Sequence, residues 1–269
     1  MTDVGSLFRS DGGFFLIAGP CLLEGDELNL RVADALASLS SQLSLPVIFK
    51  SSFDKANRSK AGAARGPGLE EGLRRLERVK SASGLPVLTD IHEVHHATAA
   101  AQVCDVLQIP AFLSRQTDLV EAAARSGAAV NIKKGQWMAP EEMAGAVAKA
   151  RAAGASALAV TERGTFFGYG DLVVDMRGFT RMREATGVPV VFDGTHSVQR
   201  PGRAEGASGG DPRYIPMLVR AAAAAGADAL FLEVHPEPQT APSDSTNMLR
   251  LDALKPLLES VLAIRSACA

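Results

Sequence analysis

The sequence lacks several things that would assign it to a common class. It holds three cysteines in 269 residues, an odd number placed far apart at positions 21, 104 and 268. That excludes a disulfide framework and points to a reducing compartment, the cytosol. No two cysteines stand two residues apart, so the tight structural-zinc motif is absent. No apolar run reaches the ~18 residues of a membrane span. The only apolar run near the start, 14–18, is too short for a signal-peptide core. Neither sign of charge dominates: 28 lysines and arginines stand against 30 acidic residues, for a net charge of −2. This argues against nucleic acid or a membrane surface as partner. No linker or composition break splits the chain, so 1–269 reads as a single domain.

What is present is one pattern repeated eight times. Short apolar runs at 14–18, 46–50, 86–89, 106–109, 129–132, 157–161, 189–192 and 229–232 read as strands. Between and after them, 27–43, 69–79, 93–103, 118–125, 140–153, 179–185, 214–225 and 251–266 read as helices. The strands are apolar on both faces, as a parallel sheet covered by helices requires. Helix-to-strand links such as 152–155 and 225–228 are short and carry glycine where a helix ends. Eight such units in about 250 residues is the count and length of a (β/α)8 TIM barrel. A doubly wound sheet would not need eight strands. The longest loops, 164–175, 197–212 and 235–248, all follow strands, on the face where such barrels build their sites.

Residues just past barrel strands converge on one mouth. Here they are Cys21, Lys50 and Lys55, Asp90, Gln108, Lys133, Arg163, His196 and Glu233. Every strand end carries a polar or ionisable group, which marks the chain as an enzyme. One set is cationic: Lys55, Arg58, Lys133 and Arg163, with Arg65 and Arg115 at its edge. Any one of these alone reads as a surface ion pair; together they suit two phosphates, or a phosphate and a carboxylate. The second set is Cys21, His196, Glu233 and Asp244. Closure of a barrel makes its eighth and first strands neighbours, so these residues can meet. Thiolate, imidazole and carboxylates suit Mn(II), Fe(II), Co(II) or Zn(II), although Cys21 alone reads equally as a small buried hydrophobe. His235 is a possible fifth group, and His92 follows the third strand by two residues. His95 and His96 read as solvent or packing residues, and Cys104 and Cys268 as structural. Phe112 and Trp137 suit either the wall of the mouth or the core.

Seven stretches are specific in combination. They are Ile17-Ala-Gly-Pro-Cys21, Phe49-Lys-Ser-Ser-Phe-Asp-Lys-Ala-Asn-Arg-Ser59, Gln108-Ile-Pro-Ala-Phe112, Arg115-Gln-Thr-Asp118, Lys133-Lys-Gly-Gln136, Thr161-Glu-Arg-Gly164 and Asp193-Gly-Thr-His-Ser-Val-Gln199. The sequence in these stretches resembles the 3-deoxy-D-manno-octulosonate 8-phosphate synthases, from about residue 15 to 264. The related 3-deoxy-D-arabino-heptulosonate 7-phosphate synthases share the Gly-Pro-Cys and Glu-Arg-Gly turns. They carry a Lys-Pro-Arg-Thr-Ser-like motif where this chain has Lys55-Ala-Asn-Arg-Ser59.

The resemblance implies a (β/α)8 barrel that condenses phosphoenolpyruvate with D-arabinose 5-phosphate for lipopolysaccharide synthesis. It implies that Lys55, Lys133, Gln108 and Arg163 hold phosphoenolpyruvate, with Ala111 in the same substrate-binding stretch. Asn57, Arg58 and Ser59 would hold the sugar phosphate, and Lys50 and Asp90 would line the sugar pocket. Arg115 would reach that phosphate from a neighbouring subunit of a homotetramer. Cysteine at position 21 implies the metal-dependent class, with His196, Glu233 and Asp244 as the other ligands. His196 can serve as a ligand and also shuttle a proton only if its second nitrogen is free. The chain departs from the family at Lys60, Ala63 and Ala64, beside the acceptor-phosphate motif. Two rival readings are a Schiff-base aldolase with Lys133 as nucleophile and a non-catalytic sugar-phosphate sensor.

Overall fold

Each of the eight apolar runs forms a strand, and the pleat sends every second side chain into a common interior. In the computed structural model, which describes residues 3–56, 62, 64–204 and 207–268, the strands are Phe15–Gly19, Val47–Lys50, Val87–Asp90, Val106–Ile109, Ala129–Lys133, Leu158–Glu162, Val190–Asp193 and Ala229–His235. Each pairs in parallel with the next, and the eighth pairs back onto the first, from Phe15 opposite Ala229 to Gly19 opposite Glu233. The result is a closed parallel barrel with a helix after each strand, the (β/α)8 fold. Closure brings the first two strands very near each other at the top. A Cβ at Gly19 would lie 2.1 Å from the Lys50 carbonyl oxygen, so only glycine fits there.

The outer helices are Asp26–Leu43, Leu69–Ser83, Val94–Ala100, Thr117–Arg125, Met143–Ala152, Gly178–Thr186, Ile215–Ala224 and Leu254–Cys268. The second shows why they form. Leu76 and Val79 face the barrel, Glu70 and Glu71 lie in its first turn and Lys80 in its last, which complements the helix dipole. Gly84 ends it at φ 69°, its N–H bonded to the Lys80 carbonyl. Three helices start later than the sequence predicts. Residues 140–142, 212–214 and 251–253 form 3-10 turns, a common way to enter an α-helix. The helix expected at 93–103 is shorter, Val94–Ala100.

Two apolar clusters result. One fills the layer between strands and helices. The other lies inside the barrel and joins Phe15, Ile17, Ile48, Leu88, Val106, Val191 and Phe231 to Val4, Leu7 and Phe8. The polar-looking start of the chain therefore has a structural task. A short helix, Val4–Leu7, and Phe8 close the barrel bottom, with Phe8 stacked on Phe15 at 5.4 Å. At the other end, two of the long loops fold into antiparallel hairpins. Thr165–Gly168 pairs with Asp171–Val173, and Gln199–Ala204 with Ala207–Gly210. An Arg200–Asp171 ion pair at 2.8 Å joins them. Among the described residues no helix is long and apolar enough to cross a membrane.

Candidate active site

The interior changes character two residues further along seven of the eight strands; in the first, Ile17 is followed by Gly19. Ile48 is followed by Lys50, Leu88 by Asp90, Val106 by Gln108, Ala129 by Asn131 and Lys133, Ala159 by Thr161, Val191 by Asp193 and Phe231 by Glu233. All of the second members are buried. The alternation that packs the apolar bottom thus aims ionisable groups into the mouth.

One side of the mouth is acidic. Donor atoms of Cys21, Glu233 and Asp244 lie within 4.8 Å of one another. The Cys21 thiol donates to Asp244 Oδ2 at 3.0 Å. Ser243 and Gln199 also donate to Asp244, at 3.0 and 3.2 Å. Asp244 sits at φ 50°, a left-handed backbone that aspartate adopts more readily than most non-glycine residues. Glu233 Oε1 accepts from Lys50 Nζ at 2.5 Å, and Lys55 Nζ lies 4.0 Å away. Glu233 Oε2 is buried without a hydrogen-bond partner among the described residues. Burial, then Asp244 and Glu233, push the Cys21 thiol well above its ordinary pKa. Burial opposes the charge on Glu233 too, but Lys50, His196 and Lys55 outweigh it and lower its pKa. Burial also opposes Lys55. The carboxylates of Glu233, Asp90 and Asp244 around it nevertheless raise its pKa well above the lysine value. Since Cys21 is held as a thiol, the carboxylates account for that rise.

The other side is cationic. Lys133 Nζ lies 2.7 Å from Asp193 Oδ2 and 3.7 Å above the Phe231 ring. Burial, against the pull of Asp193, lowers its pKa. Arg163 is buried; its Nη2 donates to Gln199 Oε1 at 2.6 Å, and its Nη1 has no hydrogen-bond partner among the described residues. Gln108 Oε1 accepts from Asn131, whose Oδ1 accepts from Thr161.

His196 stands between the two sides. Its Nδ1 lies 2.7 Å from Asp193 Oδ2 and its Nε2 3.9 Å from Glu233 Oε1. Asp193 is strongly held as a carboxylate: its burial is outweighed by His196 and Lys133. A carboxylate only accepts, so His196 Nδ1 donates to Asp193. The second nitrogen of His196 is therefore not free.

The remaining sequence candidates divide. Asp90 accepts from the Ser52 hydroxyl and lies 3.1 Å from His92 Nε2. Ala111 is buried in the 3-10 turn after the fourth strand. Arg115 is exposed, its carbonyl accepting from Lys149. Asn57, Arg58 and Ser59 lie outside the described residues. Arg65 pairs with Asp54 at the exposed rim. His235 is not a fifth member of the acidic group. Its Nε2 lies 3.1 Å from Glu24 and its Nδ1 accepts from the Glu237 N–H. His96 is buried against Phe53, while His95 is exposed and 3.3 Å from Glu93. Phe112 and Trp137 stack on each other at 5.8 Å, both exposed. Sequence reasoning missed Asp193 and Gln199, although both stand in a quoted motif. The signal for Asp193 was its place two residues beyond inward Val191.

A family model described as the DAHP synthetase I family matches residues 7–267. Among curated relatives, a protein of Magnetococcus marinus named 2-dehydro-3-deoxyphosphooctonate aldolase is 54% identical over 249 residues, covering 93% of this chain and 86% of that protein. Proteins of the same name from a Synechococcus species and from Legionella pneumophila are 54% and 53% identical over 254 and 253 residues. They cover 94% of this chain in each case, and 89% and 92% of those proteins. The chain belongs to the DAHP synthetase I family.

Proposed function

We infer that this chain carries out the reaction of its relatives. It condenses phosphoenolpyruvate with D-arabinose 5-phosphate and water to 3-deoxy-D-manno-octulosonate 8-phosphate and phosphate. The observation that carries the reading is the divided mouth. Among the described residues, a buried guanidinium nitrogen without a partner faces one half, and a buried carboxylate oxygen without a partner belongs to the other. The first suits an anionic substrate group and the second a cation.

On this reading Arg163 and one of Lys55 and Lys133 take the phosphate of phosphoenolpyruvate, and the other lysine its carboxylate. Gln108 lies alongside. Lys50 and Asp90 line the sugar pocket, and Asn57, Arg58 and Ser59 take the sugar's phosphate. The enol carbon attacks the aldehyde carbon, forming the new C–C bond while the carbonyl electrons move to oxygen. Water adds to the adjacent cationic carbon and gives up a proton, and the new alkoxide takes up one to become the hydroxyl. The resulting phosphohemiketal expels phosphate and leaves the keto acid.

The donor set of Cys21, Glu233 and Asp244 fits a divalent transition metal, Mn, Fe, Co or Zn, with His196 as a further ligand through Nε2. The unpartnered Glu233 Oε2 supports this, as does Asp193, which orients His196 as second partners of metal-bound histidines do. Such an ion would supply Lewis-acid polarisation of an oxygen. The reading also carries one catalytic domain, a cytoplasmic location and a homotetramer in which Arg115 serves a neighbouring subunit. Exposure of Arg115 is consistent with that role.

Phosphate release from the two substrates, on chelator-stripped protein before and after adding Mn(II), tests this. Release that needs metal supports both substrates and ion. Release without metal keeps the substrates and removes the ion from the essential chemistry. No release in either state overturns the reading and points to erythrose 4-phosphate as acceptor.

A further inference from the structure

Lys134 adjoins Lys133 in sequence but takes no part in the mouth. The strand alternation that sends Lys133 inward turns Lys134 the other way, and it is wholly buried. Its ammonium is surrounded by oxygen: Thr165 Oγ1 at 3.1 Å, the carbonyls of Met138, Gly135 and Gly164 at 3.3, 3.4 and 3.5 Å, and Glu162 Oε1 at 3.4 Å. Charge-assisted bonds usually measure about 2.7–2.9 Å. The charge here is thus shared over a cage and not spent on one strong pair. Its burial lowers its pKa against the pull of Glu162.

The cage has a second customer. Glu162 Oε1 also accepts the backbone N–H groups of Arg163 and Gly164, at 2.9 and 2.7 Å. Gly164 sits at φ 92°, a conformation that suits glycine. The residues flanking Arg163 are therefore gripped on both sides: Glu162 by its carboxylate and Gly164 by its carbonyl both meet Lys134. From this turn the Arg163 side chain runs to Gln199, with Nη1 left unpartnered among the described residues. A long flexible side chain keeps one position only if its backbone origin is fixed.

We propose that Lys134 is a positioning residue for Arg163: its buried ammonium locks the turn Glu162–Gly164 and so sets where the guanidinium meets the anionic substrate. The proposal rests on the reading that Arg163 holds phosphoenolpyruvate. Lys134→Met keeps length and burial but removes the charge, and Lys134→Gln restores a donor. Steady-state kinetics with each substrate varied, and thermal unfolding, are measured on both.

The Met variant is expected to raise the KM for phosphoenolpyruvate by about tenfold to a hundredfold, the scale of a small misplacement of a binding group. The KM for arabinose 5-phosphate should stay within about twofold, and the Gln variant should recover part of the loss. Glu162→Gln should show the same selective rise, and the double variant should be no worse than either single one. Equal change in both KM values, or no change, overturns the proposal. Arg163→Ala is measured alongside. If it raises the phosphoenolpyruvate KM while Lys134→Met does not, the positioning role fails and the Arg163 reading stands. If it leaves that KM unaltered, the Arg163 reading itself fails. Should Lys134→Met not fold, Thr165→Val removes the shortest contact of the cage and is judged by the same outcomes.

Discussion

The lower and upper halves of the barrel interior use the same strands and the same alternation, yet have opposite contents. The lower half is a plug of Phe8, Phe15, Ile17, Val106 and Phe231. The upper half holds Lys50, Asp90, Lys133, Arg163, Asp193 and Glu233, all buried. The lower half gains from burial, about 1.5–3 kcal/mol for each large apolar side chain. Burying paired charges gains little net stability and often costs some. The contrast teaches that the bottom of this barrel carries stability and, on the function proposed above, the top carries binding, with two residues of strand separating the tasks.

Substitutions break or sharpen that contrast. The largest effect is expected from Cys21→Ala, which should abolish metal-supported turnover and lower the bound-metal stoichiometry while the protein stays folded. Full activity in this variant would sink the ligand assignment; some metal-free turnover in Cys21→Asn would refine it. Phe15→Ala should cost about 3–5 kcal/mol of stability, with KM values unaltered. A denaturation midpoint like the wild type's would show that the plug does not carry the fold. Arg163→Ala should lower kcat/KM for phosphoenolpyruvate by roughly 10²–10³, the range for losing a preorganised donor, with an unfolding temperature close to wild type. A marked fall in that temperature would blur the two halves. Arg58→Ala should raise the KM for arabinose 5-phosphate far more than that for phosphoenolpyruvate, and an equal effect would mean the wrong phosphate is assigned.

The smallest effect is on pH dependence. Asp90, Asp193, Glu233 and Asp244 all have pKa values below the ordinary range, because burial is outweighed by neighbouring positive groups and hydrogen bonds. A lowered carboxylate pKa contributes stability that is complete above the unfolded value, about 4. It is lost as pH falls through the lower native value. Thermal unfolding followed from neutral to acid pH should show that decline. Asp193→Asn should flatten it; an unaltered slope would remove Asp193 from the account.

Much of the fold was legible. Eight apolar runs separated by amphipathic helices left one reasonable closure, and the polar group at each strand end marked the mouth. The N-terminal plug was not legible: Val4, Leu7 and Phe8 are spaced among polar residues, and only the open barrel bottom gives them something to cover. Asp193 was not recognised because its role depends on where Lys133 and His196 come to lie, 60 and 3 residues away in sequence. Cys21, Glu233 and Asp244 were legible as a set, because barrel closure makes the first and eighth strands neighbours, but the bond of Cys21 to Asp244 and the pairing of Lys50 with Glu233 were not.

The sequence by itself determined the number and order of units, the inward alternation of each strand and the residue types available for chemistry, because those follow from local periodicity and turn residues. Tertiary structure alone decided the pairing of charges. Closure of the first strand on the eighth brings Cys21 to Glu233, and strand neighbours put Lys133 on Asp193 and Lys134 on the Glu162 turn. Electrostatic partners and burial depend on distance in space, and the distances came from the closing of the sheet.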